Sequence, residues 1–235
     1  MVNKTIASSQ SDKKHFVLVH GSCHGAWSWY KIVTLMRSSG HNVTALDLAA
    51  SGVDTQQAND LHSISDYFKP LRDFMEALPQ HERVILVGHS LGGLAISQAM
   101  ERFPSKISLA VFVAALIPGP NLNISTLKQE QLRCTNLSPK EDIELATMLM
   151  RPLRLFSEED MSKELKLSEE KYGTVKRAFI IPDEDLVEKK DFQLWMIERN
   201  RPNRVAEIRG SDHMVMMSKP LELWVLLQKL ATKYS

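Results

Sequence analysis

The stretch Val84-Ile85-Leu86-Val87-Gly88-His89-Ser90-Leu91-Gly92-Gly93-Leu94-Ala95 decides the fold. Its first four residues are aliphatic, three of them β-branched, and they read as a strand buried on both faces. Gly88 to Gly92 then satisfies G-x-S-x-G, and Leu91, Leu94, Ala95 and Ala99 continue as the apolar side of a helix. Strand, tight turn and helix form the context that gives this motif chemical meaning. Such a turn strains the serine backbone and needs small residues beside it. It also sets the hydroxyl at a helix N-terminus, where backbone N–H groups and the dipole favour negative charge.

Working outward, similar short apolar runs recur at His15 to Val19, Asn42 to Leu46, Arg83 to Val87, Leu109 to Val113, Lys176 to Ile181 and Arg204 to Ile208. Helical patterns separate them. Ile64, Tyr67, Leu71, Phe74, Met75 and Leu78 share one helix face, as do Leu221, Trp224, Leu227 and Leu230, with Ser218 as cap and Pro220 in the first turn. The alternation predicts an α/β fold: a mostly parallel sheet with helices on both faces. No repeat or low-complexity segment interrupts it. The exception is an insertion from about Pro118 to Lys171, which has no strand pattern. In it Ser138-Pro139-Lys140-Glu141 reads as a capping box opening a helix through Met150, and Ser157 to Leu165 as a second, acidic helix. The insertion reads as a cover over one end of the sheet, with an ordinary long crossover as the alternative. Residues 1–14 are polar and read as a tail, leaving 15–235 as one domain.

Composition narrows the classes of function. The 235 residues carry 29 Lys and Arg against 28 Asp and Glu, so no net positive field draws nucleic acid or anionic lipid. With 43% hydrophobic and 24% charged residues, the chain is an ordinary globule long enough to bury a core unaided. No apolar run approaches the ~18 residues of a membrane span. Two cysteines, Cys23 and Cys134, point to a reducing compartment with free thiols, and the N-terminus lacks a signal-peptide pattern, so a cytoplasmic location is expected. The cysteines and histidines lack metal-ligand spacing, and no metal or cofactor is expected.

A serine nucleophile needs a base held by a third group. Of eight histidines, His213 is the best placed, in Gly210-Ser211-Asp212-His213 after the last strand pattern. His89 adjoins the serine, but the turn is expected to aim neighbouring side chains apart. His15, His41, His62 and His81 read as structural or solvated. The acid should follow a strand and lie between serine and histidine in chain order, which selects Asp183-Glu184-Asp185 but not one member of it. Asp212 stands too close to His213 to orient it. Oxyanion donors are expected from the amide of Leu91 and from the loop His20-Gly21-Ser22-Cys23.

Together these residues resemble the plant methylesterase and hydroxynitrile lyase family of α/β-hydrolases. The marks are His15-Phe16-Val17-Leu18-Val19-His20-Gly21, Cys23-His24-Gly25-Ala26-Trp27, Gly88-His89-Ser90-Leu91-Gly92-Gly93, Tyr172-Gly173-Thr174-Val175-Lys176-Arg177 and Asp212-His213-Met214. The resemblance spans His15 to Tyr234. It implies Ser90 as nucleophile, His213 as base, Asp185 as acid with Asp183 the runner-up, and the amides of Ser22 and Leu91 as the oxyanion hole. The family's lyases carry threonine at the position of Gly21 and lysine at that of Met214, so the resemblance implies an esterase. It also implies that the insertion is a cap over the acyl pocket. Ser90 and His213 lie 123 residues apart, about thirty fewer than the resemblance leads one to expect. The shortage falls near Glu130 to Thr135.

The expected activity is therefore hydrolysis of methyl esters of small plant acids of the salicylate, jasmonate or indole-acetate type. A hydroxynitrile lyase and a non-catalytic small-ligand binder are the alternatives. Gly21, His24, Trp29, Met148, Met214 and Met216 are candidate pocket residues. The expected partner is a small ester, with a homodimer implied by the resemblance.

Overall fold

The computed structural model describes residues 13–124 and 140–234. Six strands form one parallel sheet: β1 (His15–Val19), β2 (Asn42–Leu46), β3 (Val84–His89), β4 (Ile107–Val113), β5 (Arg177–Pro182) and β6 (Arg204–Ile208). Their spatial order is β2-β1-β3-β4-β5-β6. All five pairings are parallel. The chain thus runs outward from β1 to one edge, returns, and runs to the other edge. The reversal falls between β1 and β3, and sheets of this kind bind ligands beyond the carboxyl ends of the strands at such a point.

Alternate side chains on each strand face opposite layers, as the pleat requires. Val17, Val19, Leu86, Phe112, Phe179 and Ile181 pack on one side with α2 (Ile64–Tyr67), α3 (Lys69–Ala77) and α4 (Gly92–Arg102). Phe16, Leu18, Ile85, Val87, Val111 and Ile180 pack on the other, with α1 (Tyr30–Ser38) and the C-terminal helix Pro220–Tyr234. This double burial explains why the central strands read as continuous apolar runs.

The single helix expected over Ile64 to Leu78 is two. Ser63 caps α2 reciprocally with Asp66, and the helix stops at Phe68. Pro70 in the first turn of α3 has no N–H to donate and its ring would strike the carbonyl four residues back, so the axis must restart. Ile64, Tyr67, Leu71 and Met75 are still buried together.

Between β4 and β5 the described residues contain α5 (Lys140–Leu149) and α6 (Glu158–Glu164) but no strand. Ser157 caps α6 through the Asp160 amide. The Ser138-Pro139 part of the expected capping box, Glu130 to Thr135, Cys134 and residues 1–12 lie outside the described residues. Arg151 straps this segment to the core: its amide donates to the Cys23 carbonyl at 3.1 Å and its guanidinium donates to the carbonyls of Gly52, Asp54 and Gln56. The Ile64 amide donates to Asp160 at 2.8 Å, adding a second strap.

Beyond β5 come α7 (Lys190–Arg199), then after β6 a short α8 (Val215–Ser218) and α9 (Pro220–Tyr234). Ser218 closes α8 instead of preceding α9 as a free cap, and its hydroxyl meets Ser211 Oγ at 3.2 Å.

Candidate active site

Ser90 has φ of +51°, a left-handed conformation that β3 and α4 impose on a non-glycine residue. Its amide donates to the carbonyls of Val113 and Ala114, and its carbonyl accepts from Gly93 and Leu116, so the turn is tied to the end of β4. The flanking glycines are required by close approach. A Cβ on Gly92 would lie 2.6 Å from the His20 carbonyl, and one on Gly88 would lie 2.8 Å from the Gly92 carbonyl. The β1 loop presses equally hard: a Cβ on Gly21 would stand 2.8 Å from Ser90 Cβ and 2.9 Å from His89 Nδ1.

That loop is braced from below. His20 Nδ1–H donates to the Gly21 carbonyl at 2.8 Å, and its Nε2 accepts from the Leu48 amide at 3.0 Å. Both ring nitrogens are thereby committed, and burial lowers the His20 pKa to about 4. Asp47 accepts from the amides of Ala26 and Val53. Ser22 and Leu91, the two expected oxyanion positions, stand on these two braced loops.

Asp185 and His213 come together although 28 residues separate them: His213 Nδ1 lies 2.9 Å from Asp185 Oδ2. The loops after β5 and β6 are stitched to make this meeting. Asp183 N–H donates to Ile208, Gly210 N–H to Asp183 Oδ1, and Glu184 N–H to Ser211. Asp183 is thus spent on bracing the Gly210 turn, and geometry separates it from Asp185. The buried Asp185 accepts from the amides of Val187 and Glu188 on Oδ1, both at 2.8 Å. Gln193 Nε2 donates to Oδ2 at 3.1 Å. Asp212 accepts from the Met214 amide and so shapes the loop behind His213.

Two further residues join the site, His89, which the sequence predicts to point away, and Gln193. His89 does not simply point away: its ring lies 4.7 Å from that of His213, and its Nε2–H donates to the His213 carbonyl at 2.9 Å. Burial and then the neighbouring His213 push its pKa well below the usual histidine value, so it is neutral. Gln193 carried no motif signal at all.

The pocket candidates divide. Gly21 and the half-buried His24 stand by the serine turn, and His24 donates to the Ser22 carbonyl at 2.7 Å while stacking on Trp27. Burial lowers the His24 pKa, with His213 adding to the effect. Met214 is buried beside His213, and Met216 lies in the same apolar layer. Trp29 is a correction: it is 0% exposed, so it meets no solvent-accessible pocket, and it meets His89 edge-on. Met148 is a second correction, since it is 82% exposed on α5 and encloses nothing. Cys23 is a free thiol with a positive φ, and burial raises its pKa, so it is protonated at neutral pH. Among the described residues no cluster of His, Cys, Asp or Glu is arranged to hold a metal ion.

The model for the α/β-hydrolase fold matches residues 14–133. Methyl jasmonate esterase 1 of Vitis vinifera is 49% identical over 257 aligned positions, covering 95% of this chain and 98% of that protein. The chain belongs to the plant methylesterase family of α/β-hydrolases. Salicylic acid-binding protein 2 of Nicotiana tabacum is 41% identical, with 94% and 98% covered. Among solved structures, tomato methylketone synthase I complexed with 2-tridecanone is 51% identical with a TM-score of 0.89, covering 95% of this chain and 99% of that one. The 257 positions aligned with the grape protein exceed the 235 residues of this chain, so the grape protein carries residues with no counterpart here. No helix among the described residues is long and apolar enough to cross a membrane.

Proposed function

We propose that this chain hydrolyses methyl esters of small plant carboxylic acids, of the jasmonate, salicylate or indole-acetate type, through an acyl-enzyme on Ser90. The observation that carries the reading is the buried His213–Asp185 pair at 2.9 Å, tied through the His89–His213 hydrogen bond to the turn that holds Ser90 at φ +51°. Ser90 Oγ attacks the ester carbonyl and gives its proton to His213 Nε2. Asp185 holds the Nδ1–H tautomer and stabilises the imidazolium. The amides of Ser22 and Leu91 receive the oxyanion. His213 then protonates the departing methoxide, and a water molecule, deprotonated by the same nitrogen, releases the acid.

Met214 supports the esterase over the cyanohydrin lyase, because a buried thioether supplies no cation for departing cyanide. The segment from about 118 to 171 is read as a shortened cap, docked by Arg151 and Asp160. Cytoplasmic location and a homodimer belong to the same reading. A fluorophosphonate probe should label the protein at Ser90, and Ser90→Ala should abolish both labelling and methanol release from a panel of methyl esters. Undiminished turnover by Ser90→Ala refutes the mechanism. Because tomato methylketone synthase I is so similar, a β-keto acid belongs in the panel. Methylketone release that survives Ser90→Ala would favour that second chemistry.

A further inference from the structure

We infer that Gln193 is a positioning residue for the Asp185–His213 pair, an inference that rests on the proposed roles of those two residues. Gln193 stands in the first turn of α7, and its side chain is fully buried. Its Nε2 faces two acceptors, Asp185 Oδ2 at 3.1 Å and the Glu188 carbonyl. The amide orientation is fixed by chemistry: turned over, its oxygen would face a carboxylate oxygen and a carbonyl oxygen, both repulsive.

The consequence lies in how Asp185 is filled. Oδ1 is held by two backbone amides, and Oδ2 is shared between Gln193 and His213. The two amides alone would leave the carboxylate able to pivot about Oδ1. Gln193 closes that freedom and keeps the remaining lone pair of Oδ2 aimed at Nδ1. Packing does not account for the residue. Gln193 Oε1 has no hydrogen-bond partner among the described residues, so the buried amide carries a cost that methionine of similar length would avoid. What the amide supplies in return is the Nε2 donor. The titratable groups around the pair are His24 and His89, both lowered by burial, and the buried carboxylates of Asp212 and Glu188.

The test uses the full chain with p-nitrophenyl acetate, comparing Gln193→Met and Gln193→Glu with Ser90→Ala and Asp185→Asn. Gln193→Met should still fold, with a modestly lowered Tm, because it strands the Glu188 carbonyl while removing the unpaired Oε1. Its kcat should fall roughly tenfold, the size of one hydrogen bond to a charged group, while KM stays within about twofold. Gln193→Glu should approach wild-type kcat at low pH, where its carboxyl keeps a proton and donates it to Asp185, and should lose activity as that proton leaves. The wild type lacks this added titration. Wild-type kcat and superimposable pH profiles in both variants overturn the inference. Should Gln193→Met fail to fold, the Gln193→Glu profile decides alone. If Ser90→Ala or Asp185→Asn keeps full turnover, the site reading itself fails and this inference with it. If both abolish turnover and the Gln193 variants do not, only this inference falls.

Discussion

Gly21→Ala is the most revealing single change that this structure offers. One methyl group would be placed 2.8 Å from Ser90 Cβ and 2.9 Å from His89 Nδ1. Non-bonded carbons prefer about 3.5 to 4.0 Å, so roughly 0.7 Å or more must be found by moving something. Neither neighbour is the loose end of a flexible chain. Ser90 is pinned through both its amide and its carbonyl, and His89 is pinned to the His213 carbonyl. The β1 loop is anchored by His20 and Asp47. The strain is therefore shared among Ser90, His89 and the β1 loop, and reaches the proposed base through the His89–His213 hydrogen bond. Overpacking of this kind costs about 1–3 kcal/mol in stability, and a displacement approaching 1 Å between reacting groups costs on the order of a hundredfold in rate. The assay is kcat/KM for a methyl ester alongside p-nitrophenyl acetate, with a thermal melt to separate folding from alignment. The expected result is a folded protein with kcat/KM reduced about a hundredfold for both substrates. A Gly21→Ala enzyme within about twofold of wild type would refute the claim that this contact sets the geometry.

Other outcomes follow from the same geometry. Asp185→Asn should cut kcat by roughly 10⁴, since the wrong histidine tautomer is then favoured; Asp183→Asn should leave ester turnover nearly intact and lower Tm slightly. Arg151→Ala, which frees the carbonyls of Gly52, Asp54 and Gln56, should cost about 1–3 kcal/mol and raise protease sensitivity between β4 and β5, both measurable by urea titration and limited proteolysis. His20, with a folded pKa of about 4 against 6.5, stays neutral where the unfolded chain takes up a proton. Its effect on stability is therefore absent at neutral pH and destabilising as pH falls from 6.5 towards 4, reaching about 3 kcal/mol. His24 and His89 act in the same direction. A His20→Asn variant should show a shallower loss of stability in urea titrations across that range, and an unchanged slope would argue against this assignment.

Much of the fold was legible because the sheet is buried on both faces. In the central strands double burial writes itself as aliphatic runs, whereas the partly exposed edge strands β2 and β6 are mixed runs. All six lie within a few residues of the bounds the sequence predicts. The boundaries that slipped, such as β3 running on to His89, did so where the strand enters the functional turn and polar residues replace apolar ones. The sequence predicts one helix over Ile64 to Leu78 where there are two, because hydrophobic periodicity survives a break at Pro70 even though the hydrogen-bond ladder does not. The placement of Ser90 on a strand-to-helix turn and of His213 in the loop after the last strand was legible from local context. Gln193, His89 in its actual role and Arg151 were not, because each acts across distances in the chain that no local pattern records.

By itself the sequence determined the layered parallel architecture, the serine turn and the short span from Ser90 to His213, since each depends on neighbours along the chain. Strand pattern and chain order left Asp183 and Asp185 equal, and the family resemblance favoured Asp185. Only the tertiary structure gives the physical difference, because both follow the same strand and differ in what they meet after folding. Asp183 is consumed by the Gly210 turn, whereas Asp185 points inward to His213 and is filled by four donors. Likewise Trp29 and His89 are close in kind to pocket and bystander residues as letters, and exchange those places once packed. Hydrogen bonds between loops are set by three-dimensional closure, and closure is the information that a linear pattern of apolar and polar residues does not carry.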